Sequence, residues 1–209
     1  MGTGPVPLSE STLYPAEHRA LRELYAAGRQ LASHWSRLAG RLGGAPAKPL
    51  RDGAVRARGL CGELAKETEK HGLHGFPAAQ SVGGRLAGIR NTAADLVLER
   101  NQALRVALLD AEHVLILLGY LRALAQQRGD EPLETFYETW QARLRAVQSD
   151  ARAAVIALAA DPEDAIQPAD NTAFGRAGHT VANALGTIGE AVDASPVGHA
   201  ARRLNKPPS

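Results

Sequence analysis

Residues 132–160 read PLETFYETWQARLRAVQSDARAAVIALAA. Within them Leu133, Tyr137, Trp140, Leu144, Val147, Ala151, Ala154 and Leu158 recur at alternating steps of four and three, which lays one apolar stripe along a helix. Asp130 stands where an N-cap is wanted, Glu131 and Glu134 suit the positive end of the helix dipole, and Asp161-Pro162 stops the pattern.

The same period recurs on either side. Between Pro15 and Leu42 the residues Leu21, Leu24, Gly28, Leu31, Trp35, Leu38 and Leu42 trace a first helix, with Gly43-Gly44, Pro46 and Pro49 read as the linker that ends it. A second helix is expected from Arg51 to His71, with Leu50, Ala54, Ala57, Cys61 and Leu64 inward and Leu60 at the edge of the stripe. Gly53, Gly59 and Gly62 each cost about 1 kcal/mol relative to alanine in a helix, so this segment must lean on its neighbours.

From Pro77 a helical pattern runs to Arg128, first through Val82, Leu86, Ile89, Ala93 and Leu96, then apolar on nearly every side from Leu108 to Leu124. Unbroken, it would be a rod of about 75 Å at 1.5 Å per residue, so a kink or break is expected near residues 99–102. Residues 161–170 read as an acidic loop. Phe174, Gly178, Val181, Leu185, Ile188 and Val192 then mark a slim last helix. No stretch shows sustained strand alternation and aromatic residues are 4%, so the expected fold is all-α, an up-and-down bundle of about five helices. The domain occupies residues 15–194, between a flexible arm at 1–14 and a flexible basic tail at 195–209.

A chain of 209 residues with 44% hydrophobic residues supports one compact core. Its single cysteine, Cys61, excludes an intrachain disulfide and a four-thiolate metal site, and points to a reducing compartment. No secretory leader is readable at the start, and apolar runs such as Val114 to Leu118 are far short of a membrane span, so a cytoplasmic location is expected.

Three sets of residues are candidates for function. Glu67 and His71 are four apart and Asp110 and His113 three apart, so each pair shares a helix face, and two facing pairs could offer four ligands to a metal ion or form an acid–base site. The chain lacks the Glu-x-x-His of di-iron bundles. The competing structural reading makes His71 a helix cap, and Asp110 and His113 a hydrogen-bonded pair. Charge suggests the second set: residues 1–100 hold 14 Lys plus Arg against 9 Asp plus Glu, and the remainder 10 against 13. Arg51, Arg56, Arg58, Arg85 and Arg90 are therefore the candidates for phosphate contacts with nucleic acid, although acidic residues interrupt them and no aromatic stacking platform accompanies them. Thirdly, the apolar stripes themselves are packing surfaces. With no catalytic constellation and no cofactor motif, the leading expectation is a non-catalytic helical bundle that works through protein contacts, self-association being the simplest form.

Overall fold

The computed structural model describes residues 13–71 and 98–170, with Thr172, Arg176 and Thr180 beyond them. Four long helices dominate: α1 (Pro15–Leu42), α2 (Gly44–Lys70), α3 (Arg100–Arg128) and α4 (Glu131–Ala157). A 3-10 turn at Leu158–Ala160 and a single-turn helix, α5 (Pro162–Ala165), follow. Among the described residues there is no strand, and the fold is an all-α bundle. None of these helices is long and apolar enough to cross a membrane.

Most of the expected stripe residues among the described helices are buried, the exceptions being Cys61, Ala154 and Leu158, which are half-buried. All seven stripe residues of α1, from Leu21 to Leu42, are buried, as are Leu133, Tyr137, Trp140, Leu144, Val147 and Ala151 of α4. Asp130 caps α4 as expected, its carboxylate accepting from the Leu133 N–H at 3.1 Å. Gly129, at φ 73°, closes α3 with a Schellman turn in which the Asp130 N–H reaches the Ala125 carbonyl and the Gly129 N–H reaches the Gln126 carbonyl. On α2 the inward line runs through Leu60, which is fully buried, and not through Cys61. Cys61 is displaced to the α1 side, where its thiol faces the Tyr25 carbonyl at 3.8 Å.

The linker expected between Gly43 and Leu50 is one residue long. Gly43 and Gly44 take φ of 62° and 56°, a left-handed turn that reverses the chain at once and that side chains with a Cβ disfavour. Pro46 falls in the first turn of α2, where an N–H is not needed, and Pro49 forgoes one helix hydrogen bond. Ala47 and Leu50, both fully buried, hold this turn helical by packing. The glycines of α2 also have a tertiary reason. A Cβ on Gly53 would overlap the Trp35 ring, and one on Gly59 would come within 3.1 Å of Trp140. Each indole turns a ring edge towards a helix that glycine has thinned.

Among the four long helices, α1 packs on α2 and α3, and α4 packs on α2 and α3, so they sit at the corners of a square. Cross-links fix their senses. Trp35 donates to the Ala107 carbonyl at 2.9 Å and Glu17 meets Arg128, so α1 and α3 are antiparallel. Trp140 donates to Glu63 at 2.8 Å, which ties α2 to α4, and because α1–α2 and α3–α4 are tight hairpins these two are antiparallel as well. With the two tight hairpins the order is up, down, down, up, and α3 starts at the end of the bundle opposite to where α2 finishes.

A break does occur at the expected place. Glu99 is extended (φ −66°, ψ 157°) and pairs with Pro168 in a short antiparallel bridge, so α3 starts at Arg100. The Arg100 N–H donates to the Gln167 carbonyl at 2.9 Å and the Ala169 N–H to the Leu98 carbonyl at 3.0 Å. Residues 161–170, read as a loop, are thus a short helix and an extended strap. Arg100 ties them to the rest by reaching Asp164 at 2.8 Å and the terminal Leu42 carbonyl of α1 at 3.2 Å. At the N-terminal side Leu13 is buried and Tyr14 caps α1. The pattern from Pro77 to Leu96, the stripe from Phe174 to Val192 and the tail at 195–209 lie outside the described residues.

Candidate functional site

The polar residues singled out in the sequence are spread over the bundle. Asp110 points from α3 towards α1, where it takes His34 as its partner: the carboxylate meets His34 Nδ1, and Gln30 adds a longer contact at 3.4 Å. His34 is fully buried and its neighbour Trp35 holds the Ala107 carbonyl one turn away on the same face of α3. This pairing satisfies two polar groups inside the α1–α3 seam and gives no substrate a path to the imidazole. His113 instead faces outward beside Glu23 at 3.2 Å, both about half exposed.

Glu67 pairs with Lys70 on its own helix at 2.6 Å, and His71 ends α2 with its backbone N–H on the Thr68 carbonyl. Glu67 acts on Tyr137, at the end of the bundle where Arg128 lies. Arg128 is 18 residues past Asp110, about 27 Å along α3. The two carboxylate–histidine pairs thus occupy different levels on diagonal corners, and among the described residues no group of three or more His, Cys, Asp or Glu is placed to hold a metal ion. His34 was legible as the residue four before Leu38 and three after Leu31, on the edge of the α1 stripe, but nothing local says which helix it faces.

Of the basic set, Arg51, Arg56 and Arg58 are exposed on α2, while Arg85 and Arg90 lie outside the described residues. Arg51 and Arg58, seven apart, share a line along α2, and Arg56 is about 140° round the helix from Arg51. Asp52 sits between them, bound to Lys48 at 2.9 Å. Cys61 is held as a thiol, its pKa pushed up to about 11 by burial against the opposing pull of Arg29. Asp170 is the reverse case: the Thr172 backbone N–H holds its carboxyl below the usual range, with Arg41 adding to the effect.

A different feature stands out on the surface. Leu109, Ile116 and Tyr120 are 68%, 60% and 47% exposed, and their spacing of seven and four aligns them along the outer face of α3. Ala123 extends the line and Val106 begins it. The outer side of α1 carries Arg19, Arg22, Glu23, Arg29, Ser33 and Ser36 instead. On α2 and α4 the exposed large apolar residues are single, Val55 and Ile156. Glu112 borders the α3 stripe on the α4 side, accepting from Gln148 at 2.6 Å, and His113 borders it on the α1 side.

No family model matches the chain, and neither a curated protein nor a solved structure matches it.

Proposed function

We propose that the protein is a non-catalytic helical bundle that acts through protein contacts, and that in its simplest form it self-associates through the outer face of α3. The observation that carries this reading is the aligned exposure of Leu109, Ile116 and Tyr120 on one helix while the outer faces of its neighbours are polar. A helix that is apolar all round is ordinarily covered all round. A second copy suits the stripe for two reasons. Leu109 and Ile116 are a heptad apart, the interval at which two helices running in the same sense stack like on like. Glu112 and His113 flank opposite edges, so the same arrangement sets Glu112 of each copy against His113 of the other.

The engagement of Asp110 by His34 and of Glu67 by Lys70 supports a structural role for these groups, as the raised Cys61 pKa does for the thiol. A reducing, cytoplasmic setting accords with one cysteine and no possible intrachain bridge. Light scattering on a size-exclusion column tests the proposal. The native chain is expected to run as a dimer, and replacing both Leu109 and Ile116 by Glu is expected to yield a monomer of unchanged helicity. Loss of about 3 kcal/mol at two central contacts corresponds to roughly a hundredfold weaker Kd. A native chain that stays monomeric up to high micromolar concentration overturns the proposal.

A further inference from the structure

The two layers of the bundle carry opposite charge. Residues 13–71, which form the α1–α2 hairpin, hold 11 Lys plus Arg against 6 Asp plus Glu, whereas residues 98–170, which form α3, α4 and the strap, hold 7 against 12. Most acids of the hairpin are already engaged: Glu17 meets Arg128, Glu23 meets His113, Asp52 meets Lys48, Glu63 accepts from Trp140 and Glu67 meets Lys70. Glu69, near the end of α2, is the exception. Among the described residues no acid pairs with Arg22, Arg51, Arg58 or Lys66.

Contacts across the α1–α2 seam fix where these cations stand. The Cys61 thiol faces the Tyr25 carbonyl at 3.8 Å, a Cβ on Gly28 would lie 2.9 Å from the same sulfur, and a Cβ on Gly53 would overlap the Trp35 ring. Position 28 is thus level with 61, and 35 with 53. On this register Arg22 is level with Lys66, Arg29 with Arg58 and Arg37 with Arg51, each to within about 3 Å of helix rise. Arg22 and Arg29 flank Tyr25 at steps of three and four, and Arg58 precedes Cys61 by three, so all three border that contact. Arg37 and Arg51 are each two residues, or about 200°, round from the buried Trp35–Gly53 contact and lie on the outer side. Arg22, Arg29, Arg51, Arg58 and Lys66 are exposed, and Arg37 is half-buried against Ser33 at 2.6 Å. The outcome is two facing rows of cations. Steps within each row are seven or eight residues, about 11 Å, on helices whose axes lie about 8–10 Å apart.

Regularly spaced arginines with no acid among them suit a partner that repeats its own negative charge, and the guanidinium fork matches phosphate oxygens. Val55 is the one large apolar residue exposed on α2, whereas a helix lying on a membrane buries a broad apolar face. Among the described residues the face has no exposed aromatic ring on which an unpaired base could stack, which favours a duplex over a single strand. We propose that the outer face of the α1–α2 hairpin docks the phosphate backbone of double-stranded nucleic acid, with Arg22, Arg29, Arg51 and Arg58 as its phosphate contacts. Recognition is then independent of base sequence, and the acidic α3–α4 layer keeps the opposite side of the bundle off the duplex. The surface is separate from the α3 stripe, since α2 is the helix diagonal to α3.

Fluorescence anisotropy of a labelled duplex of about 20 base pairs and arbitrary sequence tests this on the full chain. Four phosphate contacts lead to an affinity that falls roughly 150-fold between about 50 and 200 mM salt. Arg51→Ala together with Arg58→Ala is expected to weaken binding and to make the slope of log affinity against log salt shallower by about 1.8, with helicity unchanged. Arg145→Ala together with Arg152→Ala makes the same charge change at exposed positions of α4 and is expected to leave affinity and slope as they were. Equal losses in the two double variants would reveal a response to net charge alone and overturn the proposal. No binding at the lower salt overturns it as well, as does binding to vesicles of phosphatidylserine and phosphatidylcholine in equal parts without binding to the duplex.

Discussion

Helices α1 and α3 lie side by side along their whole lengths and share the Trp35–Ala107 and His34–Asp110 contacts, yet they are finished differently on their outer sides. Helix α1 is amphipathic: its stripe from Leu21 to Leu42 faces the core and its back is charged or small and polar. Helix α3 is apolar on both sides, burying Leu104, Val114, Leu118 and Leu121 and exposing Leu109, Ile116 and Tyr120. A helix at the corner of a four-helix square needs only one apolar face for the core. The second face of α3 is surplus to that need, and this contrast is what points from fold towards function.

Paired truncations separate the inner face of α1 from the outer face of α3. Leu24→Ala on the inner face of α1 removes a fully buried side chain and is expected to lower stability by about 3 kcal/mol in a denaturant titration. Leu109→Ala on the outer face of α3 is expected to change the stability of the separated monomer by less than about 0.5 kcal/mol. Equal losses would mean that both faces are packed within one chain, and the distinction between the two helices would fail.

The seam they share is the next place to probe. Asp110→Ala leaves the buried His34 without its carboxylate and is expected to cost about 2 kcal/mol, read as a lower denaturation midpoint with an unchanged slope. His113→Ala, at a half-exposed pair one turn away, serves as the control and should cost little. A reversed ranking would place the working partner of α1 on the outer side of α3.

The smallest effect concerns the other flank of α1. With its pKa raised to about 11 by burial, the Cys61 thiol is almost wholly protonated at neutral pH. Alkylation by iodoacetamide at pH 7.5 is expected to run at least tenfold slower in the native chain than in urea. Equal rates would show that the α1–α2 seam opens readily around Tyr25 and Gly28.

Much of the fold was legible without coordinates. The bounds of α1 and the Asp130 cap follow from residues within a few positions of one another, whereas the break ahead of Arg100 follows only from the length that an unbroken rod would have, since no Gly or Pro marks it. The start of α2 was missed by several residues because Gly and Pro carry strong local signals, and the packing of Ala47 and Leu50 overrode them. Of the candidate site little was legible. Asp110 and His113 share a helix face by spacing, but Asp110 turns to His34 and His113 to Glu23, partners about 76 and 90 positions away in the chain.

Most of the coiled segments and of the residues they turn inward can be read locally, because a helix repeats every 3.6 residues and its caps lie within a turn of its ends. Tertiary structure alone decided which stripes face each other, which acid meets which base, and that α2 and α3 run the same way. Those outcomes depend on the rotation and offset of whole helices, set by how Trp35 settles on Gly53 and Trp140 beside Gly59, and no short window of sequence contains that information.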